Sequence, residues 1–141
     1  MKTYSDLQDI DQSINVKINL RPVGTPDISV SINQHVFEYT VLSNPVVLEY
    51  RVELLDNINI IIKLYNKEYD INNETAVIID NIVIDNINIV PKFDYLANYV
   101  NDHNNNNPTS YLGFNGQWQL NIEQPFYHWL HKHTGQGWLL K

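Results

Sequence analysis

The segment VLEYRVELL (residues 47–55), followed after Asp56-Asn57 by INIIIKLY (residues 58–65), decides the fold of this chain. In the first run, apolar side chains alternate with charged ones. In the second, every other residue is isoleucine or leucine. A repeat of two residues is typical of a β-strand with one buried face. Two such runs joined by a short Asp-Asn pair predict a central antiparallel hairpin.

The same alternation continues on both sides of this pair. Residues 14–20 and 28–41 alternate, and the second run is interrupted at Asn33-Gln34, which predicts another hairpin. Residues 76–89 alternate around Asp85-Asn86, a pair that fits either a two-residue turn or a bulge in one continuous strand. Strand signals at intervals of about ten residues are typical of a β-sandwich or barrel.

We therefore predict a single all-β domain over residues 1–141, an antiparallel and jelly-roll-like β-sandwich preceded by an N-terminal arm of residues 1–13. The pattern changes in residues 91–141, which we expect to pack on the sandwich as a helix, an Asn-rich loop and an aromatic tail. A short helical turn is predicted over 125–133. The first helix is predicted from a stripe at helical spacing, Phe93, Leu96, Ala97 and Val100.

Composition excludes several classes of function. The net charge is −7 and the nine basic residues are scattered, which argues against nucleic-acid binding because phosphate contacts need clustered Lys and Arg. No apolar run approaches the length of about 20 residues that spans a bilayer, so membrane insertion is not expected. The chain has no cysteine, which excludes disulfides and Cys-ligated zinc. The excess of Asn and Ile indicates an A/T-rich genome, as in a marine microbe or its phage.

All three tryptophans lie in an aromatic tail that begins at Tyr111. Aromatic side chains stack on sugar rings and anchor protein interfaces, and they also complete hydrophobic cores. Both interpretations stay open. The candidate residues for binding a partner or a glycan are Tyr111, Trp118, Tyr127, Trp129 and Trp138.

Two sets of residues are candidate metal ligands. Asp70 and Asp80 could hold calcium through loop oxygens, or they could belong to a solvated acidic edge. His128, His131 and His133 could bind a transition metal, but three histidines with no nearby carboxylate except Glu123 are a weak signal, and surface or packing histidines are the alternative. Because no nucleophile elbow, phosphate loop or paired acid and base is visible, we expect no catalysis and no cofactor other than calcium.

The middle of the chain resembles a β-sandwich of the carbohydrate-binding-module type found in tailed-phage proteins. Over residues 26–90 the likeness rests on the segments ISVSIN (28–33), LEYRVELL (48–55), IIIKLYNK (60–67), Asp70 and AVIIDNIVIDNI (76–87). Asp70 and Asp80 are the positions that the resemblance implies for calcium. The chain has Asn86 where such modules commonly have Gly, which puts a tight turn there in doubt. The tail segments YLGFNGQW (111–118), PFYHWLH (125–131) and TGQGWLL (134–140) are similar to tails of structural proteins from marine tailed phages.

These observations predict a non-enzymatic structural, decoration or tail-associated protein of a tailed phage. Its partners would be other virion proteins or further copies of itself, and its location the virion. The alternative is an extracellular glycan-binding adhesion module that depends on calcium and binds a surface glycan.

Overall fold

The computed structural model describes residues 13–53, 57–69, 72–90, 92–93, 96–103, 110–124, 126 and 129–133. Ten strands and one short helix lie in these ranges. The helix, α1, includes residues 126 and 129–133. The strands are β1 (Ser13–Val23), β2 (Asp27–Ile32), β3 (His35–Tyr39), β4 (Val46–Glu53), β5 (Ile58–Tyr65), β6 (Ala76–Ile84), β7 (Ile87–Val90), β8 (Asn98–Asn101), β9 (Tyr111–Leu112) and β10 (Gly116–Ile122).

The strands form two five-stranded antiparallel sheets. The first has the order β4-β1-β6-β7, with β9 also pairing to β6, and the second has the order β3-β2-β5-β10-β8. Among the described strands, two pairs that are consecutive along the chain are also neighbours in a sheet: β2 with β3, and β6 with β7. The prediction of an all-β antiparallel sandwich with a short helix in the C-terminal third is confirmed.

The core lies between the sheets and is formed by the alternating apolar positions. On β5, all four even-numbered residues are fully buried. Removing an isoleucine or leucine side chain from water contributes roughly 1.5–3 kcal/mol, so the two inner faces hold the sheets together. The inward-facing residues include Ile14, Val16, Ile18, Leu20, Ile28, Val30, Ile32, Ile58, Ile60, Ile62, Leu64, Val77, Ile79, Ile82, Ile84, Trp118, Leu120 and Ile122.

The predicted central hairpin is wrong. β4 pairs with β1 over eight residues, whereas β5 pairs with β2 and β10 in the other sheet. Each strand has one buried face, and the two faces meet across the core instead of lying side by side. Alternation identifies a strand and its buried face, but it does not specify the neighbouring strand.

The hairpin predicted at Asn33-Gln34 forms, and at Asp85-Asn86 the two-residue turn forms and not a bulge in one continuous strand. The β2–β3 turn has Asn33 at φ 56°, and the β6–β7 turn has Asp85 at φ 50° and Asn86 at φ 65°. Two consecutive positive φ angles define a type I′ turn, which Asp and Asn tolerate better than most residues. Asn86 therefore makes the tight turn without glycine.

The helix predicted from Phe93 to Val100 is also wrong. The Leu96 N–H donates to the Phe93 carbonyl at 3.0 Å. The chain then enters β8, where Tyr99 and Asn101 are buried and Val100 is exposed. The repeat of two across β8 overrides the helical stripe because β8 pairs with β10.

The two ends of the sandwich differ. The loop end carries the connections β1–β2, β3–β4, β5–β6, β8–β9 and β9–β10. The opposite, helix end carries the two hairpin turns with positive φ angles and α1, whose Phe126 and Trp129 rings stack at 6.2 Å and close the core. No helix among the described residues is long and apolar enough to cross a membrane.

Candidate functional site

Three aromatic rings from separate connections meet at the loop end. Tyr69 follows β5, His103 follows β8, and Phe114 lies between β9 and β10. The His103 ring stacks on Phe114 at 4.2 Å and 17°, and Tyr69 meets His103 edge-on at 4.6 Å. Tyr69 is 47% exposed. These three residues, the loop-end platform, present aromatic surface to solvent.

A carboxylate holds two of these rings. Asp102 Oδ1 accepts a hydrogen bond from the Tyr69 hydroxyl at 2.6 Å and lies 2.8 Å from His103 Nδ1. The Asn115 backbone N–H donates to the Tyr69 oxygen at 2.9 Å. The hydrogen bond from Tyr69, followed by that from His103, lowers the pKa of Asp102. The pKa of Tyr69 is raised mainly by burial and, to a smaller extent, by its hydrogen bond to Asp102. A half-exposed, ionised carboxylate therefore borders the platform.

Lys67 anchors the connections beneath the platform. Its side chain is 5% exposed, and Nζ donates to the Glu74 carboxylate and to the Gly113 carbonyl at 2.5 Å. Nζ also lies 5.3 Å from the centre of the Tyr69 ring. The Asn115 side chain bonds both backbone groups of Lys67, at 2.8 and 2.9 Å. The hydrogen bond from Lys67 lowers the pKa of Glu74.

A polar pocket of about 270 Å³ lies beside Lys67 at the same end. Its lining offers hydroxyl, carboxylate and amide groups, which donate and accept hydrogen bonds in many directions. Asp27 Oδ1 is occupied by the Val41 backbone N–H at 2.8 Å. The lining residues are Thr25, Asp27, Tyr65, Asn66, Lys67, Glu68, Asn73 and Thr75.

Backbone strain accompanies this pocket. Val41, which donates to Asp27, is exposed and has φ 51°. A positive φ is unfavourable for a β-branched residue, and strain of this kind is concentrated at functional sites. Asn66 in the pocket wall also has a positive φ, 59°. Among the described residues, Val41 is the β-branched residue with a positive φ, and it lies at the loop end beside this pocket.

A second cleft, of about 540 Å³, lies near the helix end. It opens between the β2–β3 turn and the second half of β4. His35 and Tyr50 form its aromatic part, with ring centres 4.7 Å apart. The other lining residues are Asn33, Gln34, Arg51, Val52 and Glu53.

The structure separates the aromatic residues predicted for binding. Trp118 is fully buried in β10 and Trp129, a residue of α1, is buried against the core, so neither ring is accessible to a sugar or partner. Tyr111 lies at the loop end with 42% exposure and a side-chain hydrogen bond to Glu74. Tyr127 and Trp138 lie outside the described residues.

The predicted calcium ligands are not brought together among the described residues. Asp70 lies outside those ranges. Asp80 is the extra residue of a bulge in β6 opposite β1, and its carboxylate pairs with the Arg21 guanidinium at 3.0 Å. That pairing does not favour Asp80 as a metal ligand. His131 and His133 lie on α1, His128 lies outside, and the described residues hold no cluster of three metal-binding side chains.

The sequence alone did not reveal the loop-end platform. Tyr69, His103 and Phe114 lie in three polar connections separated by 34 and 11 residues along the chain. Each of these residues is an aromatic ring in a polar loop, and this is the one sign of the loop-end platform that the sequence offers. The residues next to each ring do not show that the three rings meet.

No family model and no curated protein matches the chain. Two solved structures share part of its fold. The first, "vCBM60 in complex with galactobiose", has a TM-score of 0.48 and 15% identity, over 77% of this chain and 99% of the other. The second, vCBM60 described in connection with calcium-dependent carbohydrate binding modules, has a TM-score of 0.49 and 15% identity, over 75% and 88%. These scores are too low to support a shared site or function.

Proposed function

We propose that this protein is a glycan-binding module whose site is the loop end. The observation that carries the proposal is the exposed aromatic platform bordered by the ionised Asp102 and by a polar pocket beside Lys67. Sugars are recognised by this combination, since the C–H face of a pyranose packs on an aromatic ring while its hydroxyls need directional polar partners.

In this proposal each part has a defined role. Tyr69 offers the accessible aromatic surface, and Phe114 and His103 support it from behind. Asp102 accepts hydrogen bonds from sugar hydroxyls through Oδ2, since Tyr69 and His103 both contact Oδ1. The pocket beside Lys67 contacts a neighbouring sugar unit through Asn66 and the hydroxyls around it. Binding forms and breaks no covalent bond.

Calcium dependence is a separate part of the proposal. Asp80 is engaged by Arg21, so the loop-end pocket is the better source of oxygen ligands: Asp27, Glu68 and the amide oxygens of Asn66 and Asn73 are of the type that calcium prefers. A calcium ion there would supply positive charge to a pocket whose lysine is already paired with Glu74.

Isothermal titration and a glycan array test this function. Galactobiose, the sugar bound in one of the similar structures, is a first probe, and each titration is repeated with calcium and with a chelator. Tyr69→Ala should weaken binding about fivefold, because stacking on one ring contributes roughly 1 kcal/mol and a factor of ten needs about 1.4 kcal/mol. His35→Ala is the control, since His35 is an exposed aromatic residue at the helix end, away from the platform.

Two results would refute the glycan proposal. One is the absence of binding to every glycan on the array, with and without calcium. The other is an unchanged affinity in Tyr69→Ala when circular dichroism shows that the variant is folded. If calcium removal leaves the affinity unchanged, only the calcium part fails.

A second candidate function is a structural or decoration role in a tailed-phage particle, with the virion as the location. Exposed valines on the outermost strands favour it: Val36 on β3 and Val47 on β4 present apolar surface that a neighbouring subunit could cover. Mass spectrometry of purified particles and the neighbouring genes test this role. Absence from the particles, together with glycan binding, would favour an extracellular module instead.

A further inference from the structure

Strand β4 is a long and unprotected sheet edge. Its register with β1 runs without a shift from Val46 opposite Leu20 to Glu53 opposite Ser13. It contains no proline, lysine or bulge, which are among the features that prevent edge strands from pairing with another chain, and its charged residues are Glu49, Arg51 and Glu53. The edge strand on the other side of this sheet, β7, has four residues and a register shift. Within the described residues, no strand pairs with the outer edge of β4.

The side chains of this edge are accessible. Val47 is 62% exposed, and Glu49 and Arg51 lie on the same outer face of the sheet. The 540 Å³ cleft lies beside Tyr50 and Arg51. Glu49 lies 3.9 Å from Lys17 Nζ and Arg51 donates to Ser13 Oγ at 2.8 Å, both exposed contacts with β1 that leave the outer edge of β4 without a described neighbouring strand.

We propose that β4 pairs with β4 of a second copy, antiparallel and centred on Tyr50, to form a symmetric dimer. The sequence around Tyr50 is self-complementary in that register. Glu49 lies opposite Arg51 of the partner subunit on the outer face, and Leu48 lies opposite Val52 of the partner subunit on the inner face. Cross-strand pairs of opposite charge and of apolar residues stabilise antiparallel strands.

The second sheet can pair with its copy about the same two-fold axis that relates the two β4 strands. Tyr50 contacts His35 at 4.7 Å and Phe37 at 6.1 Å, so Val36 of β3 lies across from Tyr50 in the other layer. β3 is also the edge of its sheet. A two-fold axis perpendicular to both sheets at Tyr50 passes near Val36, which is 59% exposed and would face its own symmetry mate. Both sheets then continue across the dimer.

The dimer has a consequence that rests on the proposed function. β4 runs from the loop end to the helix end. Antiparallel pairing therefore directs the two loop ends away from each other. Such a dimer could bind glycans on two separate surfaces at once, whereas a monomer could bind a glycan on one surface.

Sedimentation equilibrium of the full chain, from about 1 µM to about 1 mM, tests the dimer over the affinity range of weak to moderate interfaces. Glu49→Arg and Arg51→Glu each place like charges opposite one another at two symmetric positions. Each should weaken self-association at least about tenfold. An equimolar mixture of the two variants should restore dimers, because the two arginines on β4 of one variant then face the two glutamates on β4 of the other. Lys63→Glu, an exposed charge change on the central strand β5, is the matched control and should leave the dissociation constant unchanged.

The mixture keeps the result independent of any loss of folding in the single variants. A chain that stays monomeric over the whole range overturns the dimer, as does equal self-association of the wild type and both variants. A monomer in which the β4 amides that point away from β1 are protected from hydrogen exchange also overturns it, since the edge would then be covered by another part of the same chain. Glycan titrations of Glu49→Arg are a separate readout: unchanged affinity per protomer shows that the loop end is intact whatever the oligomeric state.

Discussion

Replacing Lys67 by methionine tests whether one buried cation holds the loop end together. Methionine keeps the length and most of the volume of the side chain but removes both hydrogen bonds of Nζ, to Glu74 and to the Gly113 carbonyl. Hydrogen bonds from charged groups contribute roughly 1.5–3 kcal/mol each. The Glu74 side chain is half-exposed and regains water, so its share is much smaller.

The expected net loss is about 2 kcal/mol of unfolding free energy, dominated by the carbonyl left without its partner. For a domain of this size that corresponds to a fall in Tm of about 4–8 °C. Denaturant unfolding followed by circular dichroism measures the free energy, and titration with the glycan identified on the array measures the effect on the platform. Because Lys67 also lies under Tyr69, the glycan affinity should fall with the stability.

Lys63→Met is the control for this substitution. Lys63 lies on β5, four residues before Lys67, and its side chain is exposed. If Lys67→Met and Lys63→Met unfold at the same denaturant concentration, Lys67 does not anchor the loop end. If stability falls as expected but glycan affinity does not, the platform is not the binding surface.

Three further predictions concern the loop end and its supports. Val41→Asn should raise the free energy of unfolding by about 1 kcal/mol in denaturant unfolding, because Asn tolerates the positive φ that Val41 adopts. The same change at Val100, an exposed strand residue, should lower it, and a change of the same sign in both variants would contradict the strain at Val41. Gly116→Ala should destabilise the protein by about 3 kcal/mol in the same assay, since a Cβ there would collide with the Val100 carbonyl oxygen and with Asn101; an unaffected midpoint would mean that β8 can move away freely. The pKa values of Glu74 and Asp102 are lowered in the folded protein, so the stability that these carboxylates contribute is fully present above their unfolded pKa values near 4.5 and 3.8 and is lost as the pH falls through the lower folded pKa values. Glu74→Gln should therefore flatten the acid side of a plot of unfolding free energy against pH. An unchanged acid side would show that the ion pair with Lys67 contributes nothing.

The alternating segments were enough to predict the class of fold. Ile58, Ile60, Ile62 and Leu64 repeat with the period of a strand and are buried, as the pattern predicts. The turn at Asn33 was also predictable, because the capacity for a positive φ belongs to the residue itself, whereas the sequence left Asp85-Asn86 open between a turn and a bulge. These features depend on neighbours along the chain, so the amino-acid sequence determines them by itself.

Pairing and site composition were decided only by the tertiary structure. β4 and β5 have the sequence pattern of a hairpin because each alternates, but which strand lies beside β4 depends on how two apolar faces meet across the core. For the same reason, the described tryptophans that suggested a binding surface complete the core. The aromatic surface is formed instead by Tyr69, His103 and Phe114, each from a different loop. Local sequence sets the period and the buried face of each strand, whereas contacts between distant segments depend on the packing of the whole chain, and the site is made of such contacts.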